Sequence, residues 1–150
     1  MTANGELLSP LLRIGLVVNP LAGIGGAVGL QGSDGEAIQR AARKLEGKPR
    51  GKERLMTFLQ ALKVCLGGDF ERLAWCTWGG AMGGEILSSA GVSAQVIGAP
   101  AAPTSAQDTQ LAVKALGATH IDLLLFVGGD GTARDVLAAV DEFTYTCVLG

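Results

Sequence analysis

Ile121-Asp122-Leu123-Leu124-Leu125-Phe126-Val127 runs directly into Gly128-Gly129-Asp130-Gly131-Thr132. The first seven residues are the most apolar stretch of the chain, and so short an apolar run suits a central strand of a parallel sheet, buried on both faces. The glycines stop it, and Val136, Leu137 and Val140 beyond them space out a helix over about 133–140. A helix that opens straight after a buried strand presents unpaired first-turn N–H groups at the strand's carboxyl end, which makes an anion site by geometry alone. Glycines let the main chain approach such an anion closely, and Thr132 followed by Asp135 resembles a capping arrangement that sets the helix start. Asp130 is the anomaly. A carboxylate in a phosphate-binding loop repels the ligand unless it binds Mg²⁺, accepts a proton from an attacking hydroxyl, or is otherwise compensated.

Upstream, the pattern alternates. Residues 13–18 read as a short buried strand that Asn19-Pro20 ends, because proline cannot continue a sheet ladder. A glycine-studded loop follows, holding Gly23, Gly25, Gly26, Gly29, Gly32 and Gly35. Helices are expected over 36–46, over 52–65 where Leu55, Phe58, Leu59 and Leu62 repeat at helical spacing, over 81–90 and over 105–116. Strands are expected over 72–77, 92–97 and 145–149. This alternation predicts an α/β fold, a doubly wound and mainly parallel sheet with right-handed crossovers. Ligands of such sheets bind beyond the carboxyl ends of the strands, where both glycine loops fall.

Composition narrows the class. The chain has 150 residues, of which 48% are hydrophobic, enough for one core and against disorder. Aromatic residues make up only 5%, so the core is expected to be aliphatic. No apolar run approaches membrane-spanning length and no leader pattern opens the chain, which predicts a soluble cytoplasmic protein with no membrane partner. Cys65, Cys76 and Cys147 fit neither a disulfide framework nor a metal site, and are expected as buried thiols. The net charge of −2 conceals a basic stretch. Eight Lys or Arg lie over 40–63 against Glu46 and Glu53, a local balance of +6 (8 − 2), and this reads either as a solvated helical face or as a surface for anions. Trp75 and Trp78 are not interleaved with basic residues, so they read as core and nucleic acid is not an expected partner. His120, the only histidine, has no sequence-linked nucleophile and reads as structural.

Gly128-Gly129-Asp130-Gly131-Thr132 resembles the signature shared by ATP-NAD kinases, diacylglycerol and sphingosine kinases and, with Ser in the last place, phosphofructokinases. Asn19-Pro20-Leu21-Ala22-Gly23 looks like the Asn-Pro-x-Ser/Ala-Gly element after the first strand of lipid kinases and their relatives. The continuation from Gly25 to Gly35 resembles a branch of ATP-NAD kinase-like proteins, including relatives linked to acetoin catabolism, with Gln31 where that branch is expected to carry Lys. A dehydrogenase-type dinucleotide fingerprint fails on the same loop, since Val28 stands where its third glycine should be and the helix is delayed by about ten residues.

The resemblance implies an NAD kinase-like N-terminal nucleotide-binding domain over 1–150, with Asp130 as the catalytic residue. It implies that Asn19, Gly23, Gly128, Gly129, Gly131 and Thr132 line the nucleotide, and it implies no dedicated metal ligands. The implied reaction is phosphorylation of NAD to NADP with ATP and Mg²⁺, on small-molecule nucleotide substrates, in a homo-oligomeric parent enzyme. A lipid or sugar kinase of the same superfamily, or a catalytically incomplete nucleotide-binding fragment, remain as alternatives. The chain stops at Gly150 on an expected strand without a closing helix, which suggests a truncated domain. The family's second, all-β domain, which supplies much of its NAD site, is expected to be missing from this chain, so self-association and weak turnover by this polypeptide alone are expected.

Overall fold

A computed structural model describes residues 10, 12–21, 50–140 and 147–150. The helix expected over 36–46 and the loop glycines from Gly23 to Gly35 lie outside them. The described elements are β1 (Leu12–Val18), α1 (Gly51–Leu66), β2 (Leu73–Thr77), α2 (Gly84–Ser89), β3 (Ala94–Val96), α3 (Ala106–Gly117), β4 (Leu123–Val127), α4 (Asp130–Val140) and β5 (Cys147–Leu149). The strands form one sheet in the order β3-β2-β1-β4-β5. Every pairing is parallel, so the expected α/β architecture is the observed one. The middle position belongs to β1; β4 lies beside it, one place from the edge.

Strand periodicity splits the core into two layers. Ile14, Leu16 and Val18 of β1 and Leu125 of β4 point to one side and meet Leu55 and Leu59 of α1 and Ile86 and Leu87 of α2. Val17 of β1 and Leu124 of β4 point to the other, against Ala112, Val113 and Leu116 of α3 and Val136 and Ala139 of α4. Each fully buried leucine or valine contributes on the order of 1.5–3 kcal/mol. Helices therefore cover both faces of the sheet, as a doubly wound fold requires. Trp75 and Trp78 are buried, one in each layer.

Several boundaries differ from the expectation. A 3-10 turn, Gly67–Arg72, buries Phe70 before β2 begins at Leu73. The helix expected over 81–90 divides into a 3-10 turn, Gly80–Met82, and α2, because Gly83 sits between them at φ 145°. That backbone carries it so close to Thr77 that a Cβ would collide with the threonine side chain. β3 has three residues where six were expected, since it is an edge strand paired with β2 alone. Among the strands β5 is the other edge, and Val148 and Leu149 are exposed on it. The thiols are free but not buried: Cys65 and Cys147 are exposed and Cys76 is half-buried. Cys65 lies on the outward side of α1, and Cys147 opens the uncovered edge strand. On α1 the basic residues Lys52, Arg54 and Lys63 are all exposed, with Lys63 Nζ 5.2 Å from the centre of the Phe70 ring.

Candidate functional site

The connections from β1 lead to β2 and β3 on one side, whereas β4 and β5 lie on the other. The order of the strands thus reverses between β1 and β4, and in sheets of this kind such a reversal marks a crevice beyond the carboxyl ends of the two strands. Asn19 and Gly128 are the first residues past these two strands. The Asn19 N–H donates to Val127 O at 2.8 Å, extending the β1–β4 ladder by one bond. Its side chain works in two directions. Oδ1 accepts from the Leu21 N–H at 2.9 Å, holding the turn at Pro20, and Nδ2 donates to Thr132 Oγ1 at 2.8 Å across the crevice. The two loops therefore lie side by side, as the parallel pairing of their strands demands.

The second lip is shorter than expected. α4 begins at Asp130, not near 133, and the Ala133 N–H donates to Gly129 O at 2.9 Å to close its first turn. The loop between strand and helix is reduced to Gly128 and Gly129. Thr132 is consequently inside the first turn and does not cap it; its side chain is 2% exposed and bonded to Asn19, while Asp135 meets Gln110 Nε2 only at 3.5 Å. The amides of Asp130, Gly131 and Thr132 precede the first intrahelical bond, so they are the orphan donors of a helix N-terminus. Gly128, Gly129 and Asp130 are exposed. The Asp130 carboxylate has no hydrogen-bonding partner among the described residues, and its place in the first turn is one where the helix dipole favours negative charge.

Two further loops reach the same edge. After β2, Trp78-Gly79-Gly80-Ala81-Met82-Gly83-Gly84 folds back on itself, with the Gly84 N–H donating to Trp78 O at 2.9 Å. After β3, Gly98 O accepts from the Gly79 N–H at 2.8 Å and ties the two loops together. Asp108 then fastens the following segment to α3. Its carboxylate accepts from Ala101 N at 2.8 Å, Ser105 N at 2.8 Å and Ser105 Oγ at 2.9 Å. The Ala101 amide above all, with the Ser105 donors, outweighs desolvation and holds this carboxyl below its ordinary value. Reading the sequence as strand and helix passed over the Trp78 loop; the two glycine pairs around Met82, directly after a strand, were its signal. Hollows also occur elsewhere among the described residues. One of about 410 Å³ is lined by Arg13, Leu73, Trp75, Cys76 and Gln95 around the starts of the strands, away from the glycine loops.

The model of one family, described as the ATP-NAD kinase N-terminal domain, matches residues 14–145. The chain belongs to the ATP-NAD kinase family. No curated protein and no solved structure matches it. It is thus a kinase-type, nucleotide-binding domain of that family, and the matched span includes both lips of the crevice. Of the residues expected to line the nucleotide, the structure brings Asn19, Gly128, Gly129, Gly131 and Thr132 together, and it sets Asp130, the expected catalytic residue, among them. Gly23 lies outside the described residues. No helix among the described residues is long and apolar enough to cross a membrane.

Proposed function

We propose that this domain holds the phosphates of ATP against the N-terminus of α4 and that Asp130 faces the adenosine ribose 2′-hydroxyl of NAD, which receives the γ-phosphoryl group to give NADP. The observation that supports this most strongly is the position of Asp130. It is an exposed carboxylate, without a hydrogen-bonding partner among the described residues, on the first turn of a helix that opens at the reversal point of the sheet. Gly128, Gly129 and Gly131 give the phosphate oxygens room to reach main-chain donors, and the unpaired first-turn amides of α4 supply the attraction for the anion. Asp130 accepts the proton of the attacking hydroxyl, while the new O–P bond forms and the bond to the ADP oxygen breaks.

Among the described residues there is no cluster of three or more metal-ligating side chains. Mg²⁺ keeps several waters and binds substrate phosphates, so a phosphate site without dedicated protein ligands still fits an ion carried on the ATP phosphates, with Asp130 left to the acceptor hydroxyl. The bound ion would offset charge on the phosphate oxygens. Calorimetric titration of ATP, NAD and NADP, each with Mg²⁺, together with an assay for NADP, tests the reading. Saturable binding of ATP and NAD with formation of NADP is expected. ATP binding with transfer to a lipid or sugar hydroxyl instead would keep the phosphate site and reject the acceptor.

A further inference from the structure

Thr132 sits in the phosphate-binding motif, yet its hydroxyl oxygen is turned away from solvent. The residue is 2% exposed, and Oγ1 accepts from Asn19 Nδ2 at 2.8 Å. Asn19 in turn has its main-chain N–H on Val127 O and its Oδ1 on the Leu21 N–H. One residue thus ties together the end of β4, through its main-chain N–H, and, through its carboxamide, the turn after β1 and the first turn of α4. Gly128 completes the arrangement, because any side chain there would collide with Thr132. From this geometry we infer that Asn19 and Thr132 are a positioning pair. They fix the main chain of Gly128–Gly131 and the carboxylate of Asp130 relative to the loop after β1, and neither side-chain contact is itself spent on the ligand. The inference rests on the reading of the crevice as the nucleotide site, but the coupling between the two loops exists without any ligand.

A hydrogen bond of this kind contributes about 0.5–1.5 kcal/mol. Two residues joined by one bond should also be non-additive when both are changed. The variants Thr132→Val, which keeps the shape and loses the oxygen, Thr132→Ser, which keeps the oxygen, Asn19→Ala and the double variant Asn19→Ala/Thr132→Val separate the possibilities. Amide hydrogen exchange on the ligand-free chain is the first measurement. Thr132→Val should raise exchange at Leu21, on the opposite lip, and Asn19→Ala should raise it at Ala133, the first bonded amide of α4, with Thr132→Ser close to wild type. Titration of ATP with Mg²⁺ is the second. Each single variant should weaken binding about three- to tenfold, the double variant no further than the worse single one, and Thr132→Ser should restore it. Unchanged exchange at Leu21 in Thr132→Val would overturn the inference, as would losses of affinity that simply multiply in the double variant, since those mark independent ligand contacts. A wild-type chain that binds no ATP would reject the nucleotide reading, while the exchange data would still decide the pair.

Discussion

Thr132 fills the space that a side chain at Gly128 would need: a Cβ built there would run into its Cβ, Cγ2 and Oγ1. The buried threonine cannot retreat without giving up its bond to Asn19. Gly128→Ala should therefore destabilise the fold by about 1–3 kcal/mol, the usual cost of overpacking. The shift is to be read as a lower urea midpoint at unchanged slope. A wild-type midpoint would mean that the two loops separate easily and that the crevice is not held from beneath.

Gly129 offers the opposite case, since a Cβ there meets nothing within 4 Å. Gly129→Ala should cost under about 1 kcal/mol of stability, as alanine is a somewhat poorer residue at a helix start. Its methyl group would, however, stand where phosphate oxygens are proposed to approach. Affinity for ATP with Mg²⁺ should fall at least about tenfold, a loss of about 1.4 kcal/mol. Equal affinity in a well-folded variant would remove Gly129 from the phosphate site.

Asp130 is exposed and bonded to nothing among the described residues, so Asp130→Asn should leave the melting temperature nearly unchanged. Proton acceptance and electrostatic stabilisation each contribute factors of about 10² or more, and NADP formation should drop at least that far. Turnover within a few-fold of wild type would make Asp130 only a helix-start residue.

Asp108 links acid sensitivity to the loop after β3. Its folded carboxyl titrates below its unfolded value, so its contribution is complete above the ordinary carboxylate range and fades as pH falls through that range toward the lowered folded value. Asp108→Asn keeps one good acceptor where the carboxylate had two, and the amides of Ala101 and Ser105 compete for it. A cost of roughly 1–3 kcal/mol is expected near pH 7, shrinking below about pH 4 where the wild-type carboxylate is itself being protonated. Melting curves of both proteins across that range should converge toward acid. A gap independent of pH would show that the charge on Asp108 is not what secures the loop.

The strand and helix alternation, the parallel sheet and the place of the Gly128 loop were all legible from local pattern. Apolar runs ended by Asn19-Pro20 and by Gly128-Gly129 identify β1 and β4, and helical spacing of Leu55, Leu59 and Leu62 identifies α1. Ends of elements were less legible. α4 starts early because Gly129 O can take the first helical bond without any side-chain cap, and the helix over 81–90 is broken by a contact between Gly83 and Thr77 that no window of neighbouring residues contains. The cysteines escaped for a related reason. Burial of Cys65 or Cys147 depends on which face of a helix, or which edge of the sheet, meets another element.

By itself the sequence determined which residue types stand at the crevice: glycines that leave the main chain uncrowded, and one carboxylate among them. Only the tertiary structure decided how those residues divide their work. The bond from Asn19 to Thr132 spans 113 positions of chain, and it forms because β1 and β4 happen to be neighbours in the sheet. Strand order is a property of how both faces of the whole sheet are covered, so it is written in no single motif. It is this neighbourhood that turns Thr132 inward to Asn19 and leaves Asp130, two residues earlier, facing out.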